Sequence, residues 1–165
     1  MASRGFTLIE IAITLAVLAI LGALALPGLG AGLERTRLHA AAQSLAADLA
    51  EARFEAARRG TPLHLVVNAG ERDACWAVAT QADCTCGAPQ PCQLRRVTQA
   101  DLAGVRLLEA RAVQLDPQGQ VQQPVQAATL ASRSGDERLR VDVSALGRAR
   151  VCAVSGHRAH KVPAC

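Results

Sequence analysis

The chain has 165 residues, half of them hydrophobic, and a formal net charge of +4. That length holds one globular domain plus an anchor. One Trp, two Phe and no Tyr leave almost no stacking platform for single-stranded nucleic acid, and the core must be built from Ala, Val and Leu.

Near the start stands Gly5-Phe6-Thr7-Leu8-Ile9-Glu10, followed by the run Ile11 to Leu33, 23 positions without a charged residue. A helix from Phe6 to Leu26 would be ~32 Å long, about the hydrocarbon thickness of a bilayer. Glu10 would then lie in the apolar layer, at a cost of about 2.5 kcal/mol or more unless it meets a partner. A carboxylate kept at that cost reads as functional. Three other readings compete: a cleaved secretory signal with Ala23-Leu24-Ala25 as its small-residue site, a plain anchor, and a buried core helix. Glu10 and the sparse positive charge of Arg4 speak against the first. The second leaves Glu10 without a role. The third requires an amphipathic helix, and this run is apolar all round.

Arg4-Gly5-Phe6-Thr7-Leu8-Ile9-Glu10 resembles the class III signal of type IV pilins and type II secretion pseudopilins. The resemblance implies cleavage by a prepilin peptidase between Gly5 and Phe6 and N-methylation of the new amine on Phe6. It also implies that Glu10 meets the N-terminal amine of a neighbouring subunit during filament assembly. The physics agrees, because a buried anion needs a cation. Residues 1–5 are thus the expected leader, 6–33 the membrane-spanning half of the first helix, and 34–165 a globular domain.

Beyond the span, Pro27 lacks a backbone donor and is expected to bend the helix; Gly28, Gly30 and Gly32 weaken the next turn. From Leu33 to Arg59 the helical pattern resumes. Leu38, Ala42, Leu45, Leu49, Ala52 and Ala56 form one apolar stripe. Asp48, Glu51, Arg53, Glu55, Arg58 and Arg59 are expected largely on the other faces. Gly60-Thr61-Pro62 stops the helix.

Short strands follow: Leu63–Val67, Trp76–Ala79, Val105–Leu115 as one strand, Val125–Ala131, Arg138–Val143 and Ala149–Val154. Turns fall at Asn68-Ala69-Gly70, Asp116-Pro117-Gln118-Gly119, Ser134-Gly135-Asp136 and Leu146-Gly147-Arg148. A Cys-rich loop occupies Gln81 to Cys92. The helix ending at Arg59-Gly60-Thr61-Pro62, the Trp-led strand and Gly147-Arg148-Ala149-Arg150-Val151 resemble the GspH/FimT-type minor pseudopilins. The Cys-rich insert departs from that pattern. The implied fold is α+β and type IV pilin-like, a long N-terminal helix packed on an antiparallel β-sheet domain.

The six cysteines, Cys75, Cys84, Cys86, Cys92, Cys152 and Cys165, read as disulfides in an oxidising compartment. This puts the domain in the periplasm, behind a single inner-membrane span. Fifteen pairings are open. Cys84 and Cys86 are too close in sequence to bond each other, and a Cys152–Cys165 bridge would tie down the tail. A zinc site on the first four is the rival reading, but they lack a Cys-x-x-Cys unit. No cofactor or metal is expected. Four scattered histidines, no Gly-x-Ser-x-Gly turn and no phosphate-binding loop point away from an enzyme.

From Arg133 to Cys165 seven Lys/Arg face three Asp/Glu, so the tail carries the whole excess of charge. Arg148 and Arg150, two apart in a strand, share a face and can bridge phosphates. Some FimT-type relatives take up DNA, and a Gly-Arg-x-Arg motif, here Gly147-Arg148-Ala149-Arg150, is linked to that binding. With the basic tail and the lack of aromatics, Arg148, Arg150, Arg158 and Lys161 are the expected contacts for double-stranded DNA. The competing reading pairs Arg148 and Arg150 with Asp136, Glu137 or Asp142. The function expected is a minor pilin or pseudopilin, a structural subunit that initiates or caps a type IV pilus or a type II secretion pseudopilus. Its partners would be other pilins, the prepilin peptidase and the inner-membrane assembly machinery. A DNA-uptake receptor is the alternative main role.

Overall fold

The computed structural model describes residues 7–70, 72–154, 156 and 162–165, and the backbone alone for 24–29. One helix, α1 (Leu8–Arg59), precedes eight strands: β1 (Leu63–Asn68), β2 (Cys75–Ala79), β3 (Gln93–Val97), β4 (Arg106–Ala110), β5 (Val113–Leu115), β6 (Val125–Ala131), β7 (Arg138–Val143) and β8 (Ala149–Ala153). The chain divides into two units, Met1–Leu33 and Glu34–Cys165.

In the first unit the described side chains of α1 are apolar apart from Glu10 and Thr14, and they are open on every side, with Leu8, Ile9, Leu15 and Leu18 each more than 60% exposed. The helical backbone continues through Pro27 and Gly28 to Gly32, so the weakening expected there does not break the helix. One missing donor and three glycines are weak local preferences against a long apolar helix, and such residues are tolerated in helices of this kind. Among the described residues no helix is long and apolar enough to cross a membrane. The expected span, 6–33, includes residue 6 and the side chains of 24–29, which lie outside them.

In the second unit two antiparallel four-stranded sheets form, ordered β3-β2-β1-β5 and β4-β6-β7-β8. The apolar stripe of α1 is fully used. Leu38, Ala42, Leu45, Leu49 and Ala56 are completely buried, in one core with Leu63, Leu65, Trp76, Leu115, Leu130, Leu139 and Val141. Each buried Leu contributes about 1.5–3 kcal/mol by leaving water.

Two strand expectations are corrected. Val105–Leu115 is not one strand: β4 pairs with β6, β5 pairs with β1, and Arg111-Ala112 makes the corner between the sheets. Leu107, Val113 and Leu115 are all buried and share one sequence parity, so alternation alone conceals the switch. The second correction is β3, which the sequence reading passed over. Gln-Leu-Arg-Arg-Val lies at a sheet edge with little of it buried, and such a strand needs no apolar alternation.

The Cys-rich insert between β2 and β3 folds over the outer face of their sheet. Disulfides join Cys75 to Cys86 and Cys84 to Cys92. With Val66, Ala77 and Ala79 they form a second small core. The third disulfide, Cys152–Cys165, holds the last residues along β8. There the Ala153 N–H donates to the Pro163 carbonyl at 2.8 Å, and the Cys165 N–H donates to the Ala153 carbonyl at 3.1 Å.

Candidate functional site

At the N-terminus the Thr7 hydroxyl oxygen accepts the Glu10 backbone N–H at 3.3 Å. Thr7-Leu8-Ile9-Glu10 therefore caps α1 with the spacing of a capping box, a local role for this motif that the sequence reading missed. The Glu10 side chain is exposed and, among the described residues, holds no ion pair. Gly5 and Phe6 lie outside the described residues.

The second candidate lies where β7 turns into β8. The turn closes through Gly147 N–H to Ser144 carbonyl, 2.8 Å, and Ser144 N–H to Arg148 carbonyl, 3.0 Å. Gly147 has a φ of +69°, a backbone shape that favours glycine. A Cβ there would stand 2.0 Å from the Gly119 carbonyl oxygen, and one on Gly119 would stand 2.6 Å from Arg53 Cγ. The two glycine turns stack on each other and onto the helix at Arg53. Gly147 thus positions its neighbouring arginines through close packing.

Arg148 and Arg150 are both exposed. They line one concavity of about 650 Å³ with Pro124, Val125, Gln126 and Asp142. Asp142 lies directly across from Arg150, yet it is ion-paired to Arg140 at 2.9 Å. Glu137 is taken by Arg35 at 2.7 Å. Among the described residues neither Arg148 nor Arg150 holds an ion pair, so the competing pairing with Asp136, Glu137 or Asp142 is absent. Arg158 and Lys161 lie outside the described residues, as do His157 and His160. Among the described residues, Asp142, Cys152 and Cys165 gather as metal-type donors, but both sulfurs are bonded to each other and only the carboxylate remains as a ligand.

A third constellation holds the domain together. Asp48, expected on a wet face of α1, is 2% exposed. The indole Nε1 of Trp76 donates to its Oδ2 at 2.7 Å, and Arg95 from β3 ion-pairs with its other oxygen. Burial pushes the Asp48 carboxyl above its ordinary range, opposed by the Trp76 hydrogen bond and Arg95. The signal was present: Asp48 is three residues from Leu45 and four from Ala52, in phase with the buried stripe. Nearby, Arg58 and Arg59 both bond Glu55 and hold its carboxyl down at about 2. Near residue 34, Glu34 accepts the Ser134 N–H at 3.2 Å, and Arg35 and Glu137 pair in the same region. These contacts pin the helix to the β6–β7 turn.

Two stretches of the chain match known protein families. The family described as "Type II transport protein GspH" matches residues 41–147, and the "Prokaryotic N-terminal methylation motif" matches residues 1–26. Among solved structures the chain is similar to the Pseudomonas aeruginosa type IV minor pilin FimU. The TM-score is 0.58 at 19% identity, covering 74% of this chain and 96% of that one. No curated protein matches in sequence.

Proposed function

Because the chain belongs to the GspH family of type II transport proteins, we propose that it is a minor subunit that initiates or caps a thin helical filament, either a type IV pilus or a secretion pseudopilus. Its fold is that of type IV pilins, and its family consists of structural subunits, not enzymes. One observation carries the reading: a methylation motif stands at the head of a helix that runs on to Arg59 and roofs a pilin-type sheet domain. In this reading prepilin peptidase cuts after Gly5, Phe6 is methylated, and residues 6–33 hold the subunit in the inner membrane with the domain in the periplasm. The assembly machinery then lifts the subunit out of the bilayer. Glu10, costly in lipid, is compensated by the Phe6 amine of a neighbour. The test is Glu10→Ala. Membrane fractionation should be unchanged and incorporation into sheared filaments should fall at least tenfold. Equal incorporation of variant and parent would end the pairing role.

A second reading rests on Arg148 and Arg150, exposed and without ion pairs around one concavity. They suit the phosphates of double-stranded DNA, bound without sequence preference. Gel shifts of the full chain in non-ionic detergent test it. Arg148→Gln/Arg150→Gln should weaken binding and reduce the salt slope by about two units. No binding by the parent at low salt would leave these arginines as a subunit contact.

A further inference from the structure

Resting on that second reading, we infer that the outer face of the β4-β6-β7-β8 sheet straddles one groove of a DNA duplex. Arg148 and Arg150 meet the backbone of one strand, and Arg111 meets the backbone of the other.

The argument starts from strand order. Arg150 on β8 lies across from Asp142 on β7, which lies across from Gln126 on β6. Residues directly opposite in a sheet share a face. The Gln126 amide donates to Glu109 of β4 at 3.0 Å, so Glu109 stands on this same face. Arg111 stands one residue beyond β4; Ala110, between it and Glu109, packs against the core, so Arg111 leaves the strand on the side of Glu109. The Arg111 backbone N–H still donates to the Ala127 carbonyl at 2.9 Å, which keeps it beside β6 at the far edge of the sheet. Arg111 is exposed and, among the described residues, holds no ion pair.

Three strand intervals separate β8 from the β4 edge, about 14 Å at 4.7–4.9 Å each. The major groove of B-DNA is about 12 Å wide, so cations at the two edges of the sheet match phosphates on the two sides of that groove. The Arg148/Arg150 hollow and a second hollow of about 500 Å³ beside Arg111 share Pro124 and Val125 as a common wall. Gln122 and Gln123, both exposed in the second hollow, place neutral amides where the groove floor would lie. Of the carboxylates here, Asp142 is ion-paired to Arg140, Glu109 accepts the Gln126 amide, and Asp116, which lines the second hollow, accepts the Gln118 and Gln120 backbone N–H groups. A single strand offers one backbone, and no aromatic lines either hollow to stack its bases, so Arg111 contributes only when a second strand is present.

The test compares duplex and single-stranded oligonucleotides of equal length, titrated against the full chain in non-ionic detergent at several salt concentrations. Arg111→Gln should reduce the duplex salt slope by about 0.9, the value of one phosphate contact, and leave single-strand affinity unchanged. Arg148→Gln/Arg150→Gln should weaken both. Arg72→Gln, an exposed arginine in the β1–β2 connection, controls for the loss of one charge. If Arg111→Gln matches Arg72→Gln, or weakens duplex and single strand alike, the straddling geometry is wrong while DNA binding at Arg148 and Arg150 stands. If the parent binds neither nucleic acid, both fall.

Discussion

Removing the Asp48 carboxylate isolates one buried interaction. Trp76 is 1% exposed, and its Nε1 donates to Asp48 at 2.7 Å. Asp48→Ala leaves that donor buried without a partner, a loss of about 1–3 kcal/mol. Arg95, with a side chain 53% exposed, returns to water, so its lost ion pair adds less than about 1 kcal/mol. Relief of the carboxylate's own desolvation offsets part of the loss. The expected net cost is about 2 kcal/mol, or roughly 5–10 °C in Tm for a domain of this size. Trp76→Phe alone leaves the buried Asp48 Oδ2 without its donor and should also destabilise. Asp48→Ala/Trp76→Phe removes both partners, so its cost should fall short of the sum of the singles by about 1–2 kcal/mol. Thermal melts by circular dichroism on the four proteins measure the cycle. A coupling below about 0.5 kcal/mol, or an Asp48→Ala variant as stable as the parent, would refute the reasoning.

Other expectations follow from the same geometry. The raised Asp48 pKa means its contribution is full below the ordinary value of 3.8 and lost as pH rises through the folded value. Melts should therefore show Asp48→Asn gaining on the parent as pH goes from 4 to 7. Glu55, held at about 2, acts in the opposite sense. Its contribution is full above the ordinary 4.5 and lost as pH falls towards 2, so Glu55→Gln should flatten the acid limb of the melt series. Cys152→Ser should free the C-terminal residues from β8 and cost about 3 kcal/mol for a loop of this length, seen as a lower Tm and faster proteolysis after Ala153. Gly147→Ala should destabilise by more than about 2 kcal/mol, since positive φ and the Gly119 carbonyl both oppose it. A neutral Gly147→Ala would mean that the glycine stack onto Arg53 is not a packing requirement.

Much of this architecture was legible before any coordinates. The helical stripe from Leu38 to Ala56 repeats at the spacing that one buried face demands, and all six of its members are buried. β6 and β7 stand at the bounds read from Val125–Ala131 and Arg138–Val143, because alternation and turn residues agree there. β3 and the β4–β5 corner escaped because their positions follow from tertiary pairing: an arginine-rich edge strand and a sheet switch at Arg111 leave no periodic trace. Asp48 was assigned by its charge to a wet face, although its phase places it among the leucines. The indole N–H of Trp76 and the guanidinium of Arg95 make that burial tolerable, and neither is near it in sequence. Arg148 and Arg150 were read from a local motif. Arg111 joins them only through strand order.

The filament-subunit reading is tested most directly at the N-terminus. The chain should be expressed with a prepilin peptidase, recovered from membranes or sheared filaments, and its intact mass and N-terminal peptide measured by mass spectrometry. Loss of residues 1–5 and one added methyl group on Phe6 are expected. A mature chain that still carries Gly5, begins beyond Ala25, or starts at an unmethylated Phe6 would contradict it.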